Sequence, residues 1–152
     1  MPSYHIDGTD TNTDNTTMGY VSAHATTPRR TRIFDIIIGS RVAPVDQACG
    51  YEFSRITAEN GTPGGTALTP VAQDPADAAA TNKPRSAPTG EPTYSGGIVL
   101  YIPLHQRPTF RWVAAKEGRE LVTPAAADDG IGILADTPTT AFAMNWGVDF
   151  EE

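Results

Sequence analysis

The chain has 152 residues, 39% of them hydrophobic, with 14 Gly, 13 Pro and a formal charge of −7. Such a length suffices for one domain with a buried core, and so much Gly and Pro fits turns between short strands and argues against a helical bundle. The acidic balance opposes binding to a phosphate backbone, which needs clustered Lys and Arg, and the lone Cys49 excludes an internal disulfide.

Met1 to His5 carries neither a charged nor an apolar leader, so synthesis in the cytoplasm without export is expected. No apolar run approaches a membrane span; Ile36 to Ile38, for example, ends at Gly39. A short strand is predicted at Tyr4 to Ile6. Residues 7–17 are Asp, Gly, Thr and Asn only, and read as a turn-rich region too polar to pack. Together with the residues before it, this makes 1–17 a polar N-terminal region. A second strand is expected near Met18 to His24. Arg30 to Ile38 is the first strong strand, with Arg32, Phe34, Ile36 and Ile38 on one face and Ile33, Asp35 and Ile37 on the other. Apolar residues on both faces predict a central strand. Arg29, Arg30 and Arg32, the longest basic cluster, read as a charged guard on a sheet edge. Cys49 precedes another strand, Tyr51 to Thr57, and is expected to be a buried small thiol.

Between Ala58 and Gly97 the chain carries six prolines, and only Thr66 to Gln73 looks strand-like. A long segment of this kind is expected to be a functional loop or an arm that orders against a partner. Strands resume at Gly97 to Leu104, with Ile98, Leu100, Ile102 and Leu104 on one face. Pro103, lacking an N–H, predicts an edge position or a bulge. Thr109 to Ala114 is expected to return as the second arm of a hairpin, and shorter strands follow at Glu120 to Thr123 and Ile131 to Ala135. From Ala141 to Glu151 the alternation is almost unbroken: Phe142, Met144, Trp146, Val148 and Phe150 against Ala143, Asn145, Gly147, Asp149 and Glu151. Period two describes a strand with one core face, leaving the final carboxylates at the surface. The expectation is an all-β fold in a single domain, 1–152, a jelly-roll-like sandwich or barrel with long Pro/Gly-rich loops.

The same residues offer little chemistry. His5, His24 and His105 stand far apart with no metal-binding spacing, and each is expected to be structural. Asp10, Asn12 and Asp14 match the first oxygen positions of a calcium loop, but Asn15 stands where its glycine belongs and Val21 where its glutamate belongs. An Asx- and Thr-rich turn is the preferred reading. No serine sits in a nucleophile-elbow context, and no glycine loop leads into a helix. Phe34, Phe53, Phe110, Trp112, Phe142, Trp146 and Phe150 are expected in the core, and Tyr20, Tyr94 and Tyr101 exposed. No catalytic, cofactor-binding or metal-binding residue is assigned, and no enzyme activity or cofactor is expected.

The segments Arg30–Ser40, Ala43–Cys49, Tyr51–Thr57, Gly90–Tyr94 and Gln106–Trp112 resemble small virion proteins of tailed bacteriophages, and within that group the capsid cement, or head-decoration, proteins. The resemblance implies a jelly-roll-like β domain on the outer surface of the capsid. It would bind the major capsid protein and bridge neighbouring subunits, often as a homotrimer, with no nucleic-acid or membrane partner. In that frame 58–97 and 1–17 would reach over neighbouring subunits. A glycan- or receptor-binding sandwich on a phage tail is the alternative, and a cupin-like metal enzyme using the three histidines is a more distant one.

Overall fold

The computed structural model describes every residue except Pro44, which falls in the Ala43–Cys49 stretch, and Thr137. Twelve strands follow one another with no helix among the described residues: β1 (Ser3–Thr11), β2 (Thr16–Ser22), β3 (Arg32–Ser40), β4 (Ala48–Ala58), β5 (Thr66–Ala67), β6 (Val71–Ala72), β7 (Lys83–Ser86), β8 (Thr93–His105), β9 (Phe110–Val113), β10 (Leu121–Val122), β11 (Gly130–Asp136) and β12 (Ala143–Glu151). They form two antiparallel sheets packed as a sandwich. The first runs β10–β3–β12–β1–β6, with β9 also pairing β3; the second runs β5–β7–β2–β11–β4–β8.

β12 lies between β3 and β1 and is paired along its whole length. Phe142, Met144, Trp146, Val148 and Phe150 are all buried, as the alternation predicts. Facing them are Tyr51 and Phe53 of β4, Ile102 and Leu104 of β8, and Ile131 and Ile133 of β11, in one hydrophobic core. Trp146 is the largest fully buried side chain. Room for it comes from two glycines: a Cβ on Gly8, its partner across β1, would fall 2.2 Å from the ring, and one on Gly19 of the opposite sheet 2.1 Å. Cys49 is buried as expected, beside the Tyr51 hydroxyl at 3.1 Å, and burial pushes its thiol pKa up.

Several expectations need correction. Residues 7–17 are not an unpacked loop: β1 continues to Thr11, and Asn12 is fully buried. Its Oδ1 accepts from the Phe142 N–H at 2.7 Å, and its Nδ2 donates to the Tyr51 hydroxyl at 3.3 Å. A polar residue packs there because each of its needs is met. The final carboxylate is also inside: Glu152 accepts from Thr81 N at 2.6 Å and Asn82 N at 3.2 Å.

The proline-rich segment folds back along the sandwich. β5 and β7 extend the second sheet and β6 the first, so the strand-like run at 66–73 is split between two sheets. Ser86 Oγ takes the Thr9 N–H at 2.9 Å and donates to the Thr9 carbonyl at 2.7 Å, tying this segment to β1. The expected hairpin of β8 and β9 does not form, because β8 pairs β4 and β9 pairs β3 in the other sheet. Pro103 does lie on an edge strand.

Two bulges change which side chains point inward. Phe34 is skipped between the pairs Ile33↔Phe150 and Asp35↔Asp149, so Ile33 joins Ile36 and Ile38 in the core and Phe34 is only half-buried. Val99 is skipped between Leu100↔Phe53 and Ile98↔Ser54, turning Ile98 outward, where it is 54% exposed. Phe110, at the short β9 edge, is 36% exposed and Trp112 partly buried.

Replacing Trp146 by Ala should destabilise the fold by about 3–5 kcal/mol. Gly8→Ala and Gly19→Ala should each cost about 1–3 kcal/mol by overpacking. Urea unfolding of the three variants against the parent checks this; parent-like midpoints for the glycine variants would refute the interlock.

Candidate functional site

The register of the first sheet fixes what its outer face presents. Across the strands, one row reads Val71, His5, Asp149, Asp35, Val113; the next reads Asp7, Gly147, Ile37, Arg111; the third reads Thr9, Asn145, Gly39. A pleated strand puts every second residue outward, so these side chains share one surface. Gly147 and Gly39 leave two adjoining hollows of about 190 and 270 Å³, which share Ile37 and Gly147. A Cβ on Gly147 would meet Ile37 Cγ2 at 2.9 Å and Asp7 Oδ1 at 3.0 Å, and one on Gly39 would meet Thr109 Oγ1 at 2.9 Å. The result is a trough with a glycine floor.

One wall is a carboxylate–imidazole–carboxylate row. His5 Nδ1 lies 2.5 Å from Asp149 Oδ1, and Nε2 lies 3.0 Å from Asp7 Oδ2. Partial burial opposes a charge on His5, but the hydrogen bonds to Asp149 and Asp7 outweigh it and raise the imidazole pKa above its ordinary value. The other wall is Arg111, whose Nε bonds both oxygens of Asp35 at 3.0 and 2.9 Å while Nη2 bonds Oδ2. Ile37, Val71 and Val113 are exposed on the same face.

The outer face of the second sheet is partly covered by its own side chains and keeps one hollow of about 290 Å³ between Glu52, Ser54, Tyr94, Ile98 and Leu134. Tyr20 and Ile56 are buried there, outside the inter-sheet core. Tyr94 lies over Gly132 and Tyr101 over Gly50, each filling the space a Cβ would take. Tyr94 OH is 2.7 Å from Thr17 Oγ1, Glu91 binds the Thr17 N–H and hydroxyl, and Tyr101 donates to Asp136 at 2.7 Å. Burial raises the Tyr94 hydroxyl pKa well above its usual value. Of the three tyrosines expected at the surface, Tyr20 is therefore buried, Tyr94 half-buried and Tyr101 exposed.

The three histidines are placed apart. His5 belongs to the trough, His24 accepts from Thr26 N at 3.2 Å in an exposed turn, and His105 meets Asp46 at 2.6 Å where β8 ends. Among the described residues no three His, Cys, Asp or Glu side chains are grouped to hold a metal ion. In the calcium-like stretch Asn12 points into the core, Asp10 binds the Thr11 N–H, and Asp14 takes a bond from Asn15 Nδ2. The middle ligand is thus spent on the fold. Sequence reading passes over Asp7, Asp149, Asp35 and Arg111, because each belongs to a different strand; their one signal is the polar face opposite the apolar alternation. Comparison with protein-family models, curated proteins and solved structures yields no match.

The raised His5 pKa stabilises the folded state fully below its unfolded value, near pH 6.5, and this contribution is lost as pH rises through the folded value. From pH 6 to pH 8 the parent should therefore lose more stability than His5→Gln. The difference should be at most about 1 kcal/mol, since the ring is partly exposed and screened. Denaturant titrations of both proteins at the two pH values test it; parallel pH profiles would refute it.

Proposed function

We propose that the protein is a structural component of a tailed-bacteriophage virion, bound to the outside of the assembled capsid and bridging neighbouring shell subunits. The observation that carries this reading is the asymmetry of the sandwich: on one outer sheet face tyrosines pack over the glycines, while the other presents a glycine-floored trough lined by charged groups and flanked by exposed apolar side chains. A binding scaffold needs such a face and needs no catalytic constellation. The strand order supports it too. With the two-residue strands set aside, β9–β3–β12–β1 packs on β2–β11–β4–β8, which we read as a jelly roll, the fold that the resemblance to cement proteins implies.

The attachment mechanism is revised accordingly. Strands from residues 1–17 and 58–97 pair within the two sheets, so in this reading the bridge is made by a face of the folded unit. A homotrimer would multiply each contact through effective concentration. Binding only the assembled lattice would stabilise it by mass action. The acidic surface keeps free subunits soluble and away from nucleic acid.

Heads assembled with and without the protein should release DNA at different temperatures, the decorated heads at the higher one. Equal release temperatures would sink the proposal. Binding to host cells or their surface sugars, with none to heads, would move the protein to a tail receptor-binding role.

A further inference from the structure

We infer that the open face of the first sheet is the docking surface for the shell, and that its trough takes a basic side chain, Lys or Arg, carried on an otherwise apolar segment. This rests on the virion reading above and names the contact that reading requires.

The charges in the trough do not balance. Asp35 is matched by the bidentate Arg111, but Asp7 and Asp149 share a single imidazole. One negative charge is left over when His5 is protonated, and two when it is neutral. Asp7 stands at the rim with its side chain 77% exposed, whereas Asp149 lies deeper at 24%. Asp7 lines one hollow and Asp149 the adjoining one across the shared Gly147, so an ammonium or guanidinium entering the trough meets the exposed Asp7 first and has Asp149 in the next hollow. Gly147 keeps this entry open, since any side chain there would collide with Ile37 and Asp7.

Shape and apolar area support the same occupant. Val71 flanks the trough on the β6 side and Val113 on the β9 side, with Ile37 between them, so a cation arriving on an apolar segment finds contacts on either side. Arg111 repels a cation from the far wall and directs it to the Asp7 side, which adds specificity. The formal charge of −7 favours encounter with a basic partner. The outer face of the second sheet also has a hollow, about 290 Å³ between Glu52, Ser54, Tyr94, Ile98 and Leu134, but it holds a single carboxylate where the trough holds three.

The test uses heads of the same virus assembled without this protein, titrated with the parent chain and three variants. Asp7→Asn/Asp149→Asn should bind about tenfold more weakly or worse, and its binding should depend less on salt. Glu52→Gln/Glu117→Gln changes the net charge equally, on the other sheet and on an exposed loop, and should bind as the parent does. Asp7→Lys alone alters one rim side chain outside the core, so it tests the surface without threatening the fold; it should bind at least as weakly as the double Asn variant. Parent-like binding by both Asp7 variants, or an equal loss in the Glu52/Glu117 control, would overturn the inference while leaving the virion reading standing. Failure of the parent itself to bind heads would overturn both.

Discussion

The sandwich depends on one steric fit. Trp146 projects from the central strand β12 into the space between the sheets, beside Gly8 of its own sheet and against Gly19 of the other. A large rigid ring can occupy that position only where its neighbours lack side chains, so three residues on three strands are fixed by one another. The indole Nε1 finds no acceptor among the described residues, and a buried unpaired donor costs about 1–3 kcal/mol. The volume of the ring therefore outweighs its polar end here. Because Trp146 also pairs with Ile38 of β3, the same side chain sets the spacing of the layers and anchors the strand whose outer face lines the trough.

How much of this was legible follows from where the alternation is unbroken. β12 could be read residue by residue because nothing interrupts its period of two from Phe142 to Phe150. In β3 the reading fails on one side of Phe34, since one skipped residue exchanges inside and outside. The same fault turns Ile98 outward in β8. A bulge leaves no mark in a single sequence when the residues around it are apolar, as Ile33 and Phe34 are, and Val99 is flanked by Ile98 and Leu100. The missed hairpin has a different cause: the turn at 106–109 is compatible with pairing its flanking strands or with crossing between sheets, and only the partners β4 and β3 decide.

Composition misled most where polar residues pack. Asp7, Thr9 and Thr11 are polar because they face the open side of the sheet, while inward-facing Gly8 needs no apolar side chain: Trp146 fills its place. Asn12 is buried through hydrogen bonds to Phe142 and Tyr51, and Glu152 through those from residues 81 and 82. Such satisfaction depends on partners 70 or more residues away along the chain for Phe142, Thr81 and Asn82. The trough escapes sequence reading for the same reason. His5 and Asp7 are close in sequence, but Asp149, Asp35 and Arg111 join them only through strand register, and the glycines that form its floor look like ordinary strand interruptions.

The edges of both sheets are poorly suited to pairing with another chain. Four of the terminal positions in the two sheets are filled by short strands: β5 and β10 with two residues, β6 with two, and β9 with four. Short edges offer few unpaired backbone groups to a neighbouring chain. β8 is the long edge, and it is broken by three register shifts against β4 and by Pro103, which has no N–H to donate. Each device disfavours strand addition, so the partner contact proposed above would be made by side chains. On the second sheet those side chains are turned to internal use over Gly50 and Gly132. The first sheet keeps Asp7, Ile37, Val71 and Val113 exposed around a trough held open by Gly147 and Gly39. Outward-facing glycines thus occur on both sheets: on the second Tyr94 and Tyr101 cover them, and on the first they stay bare and form the floor of the charged trough on which the proposed contact rests.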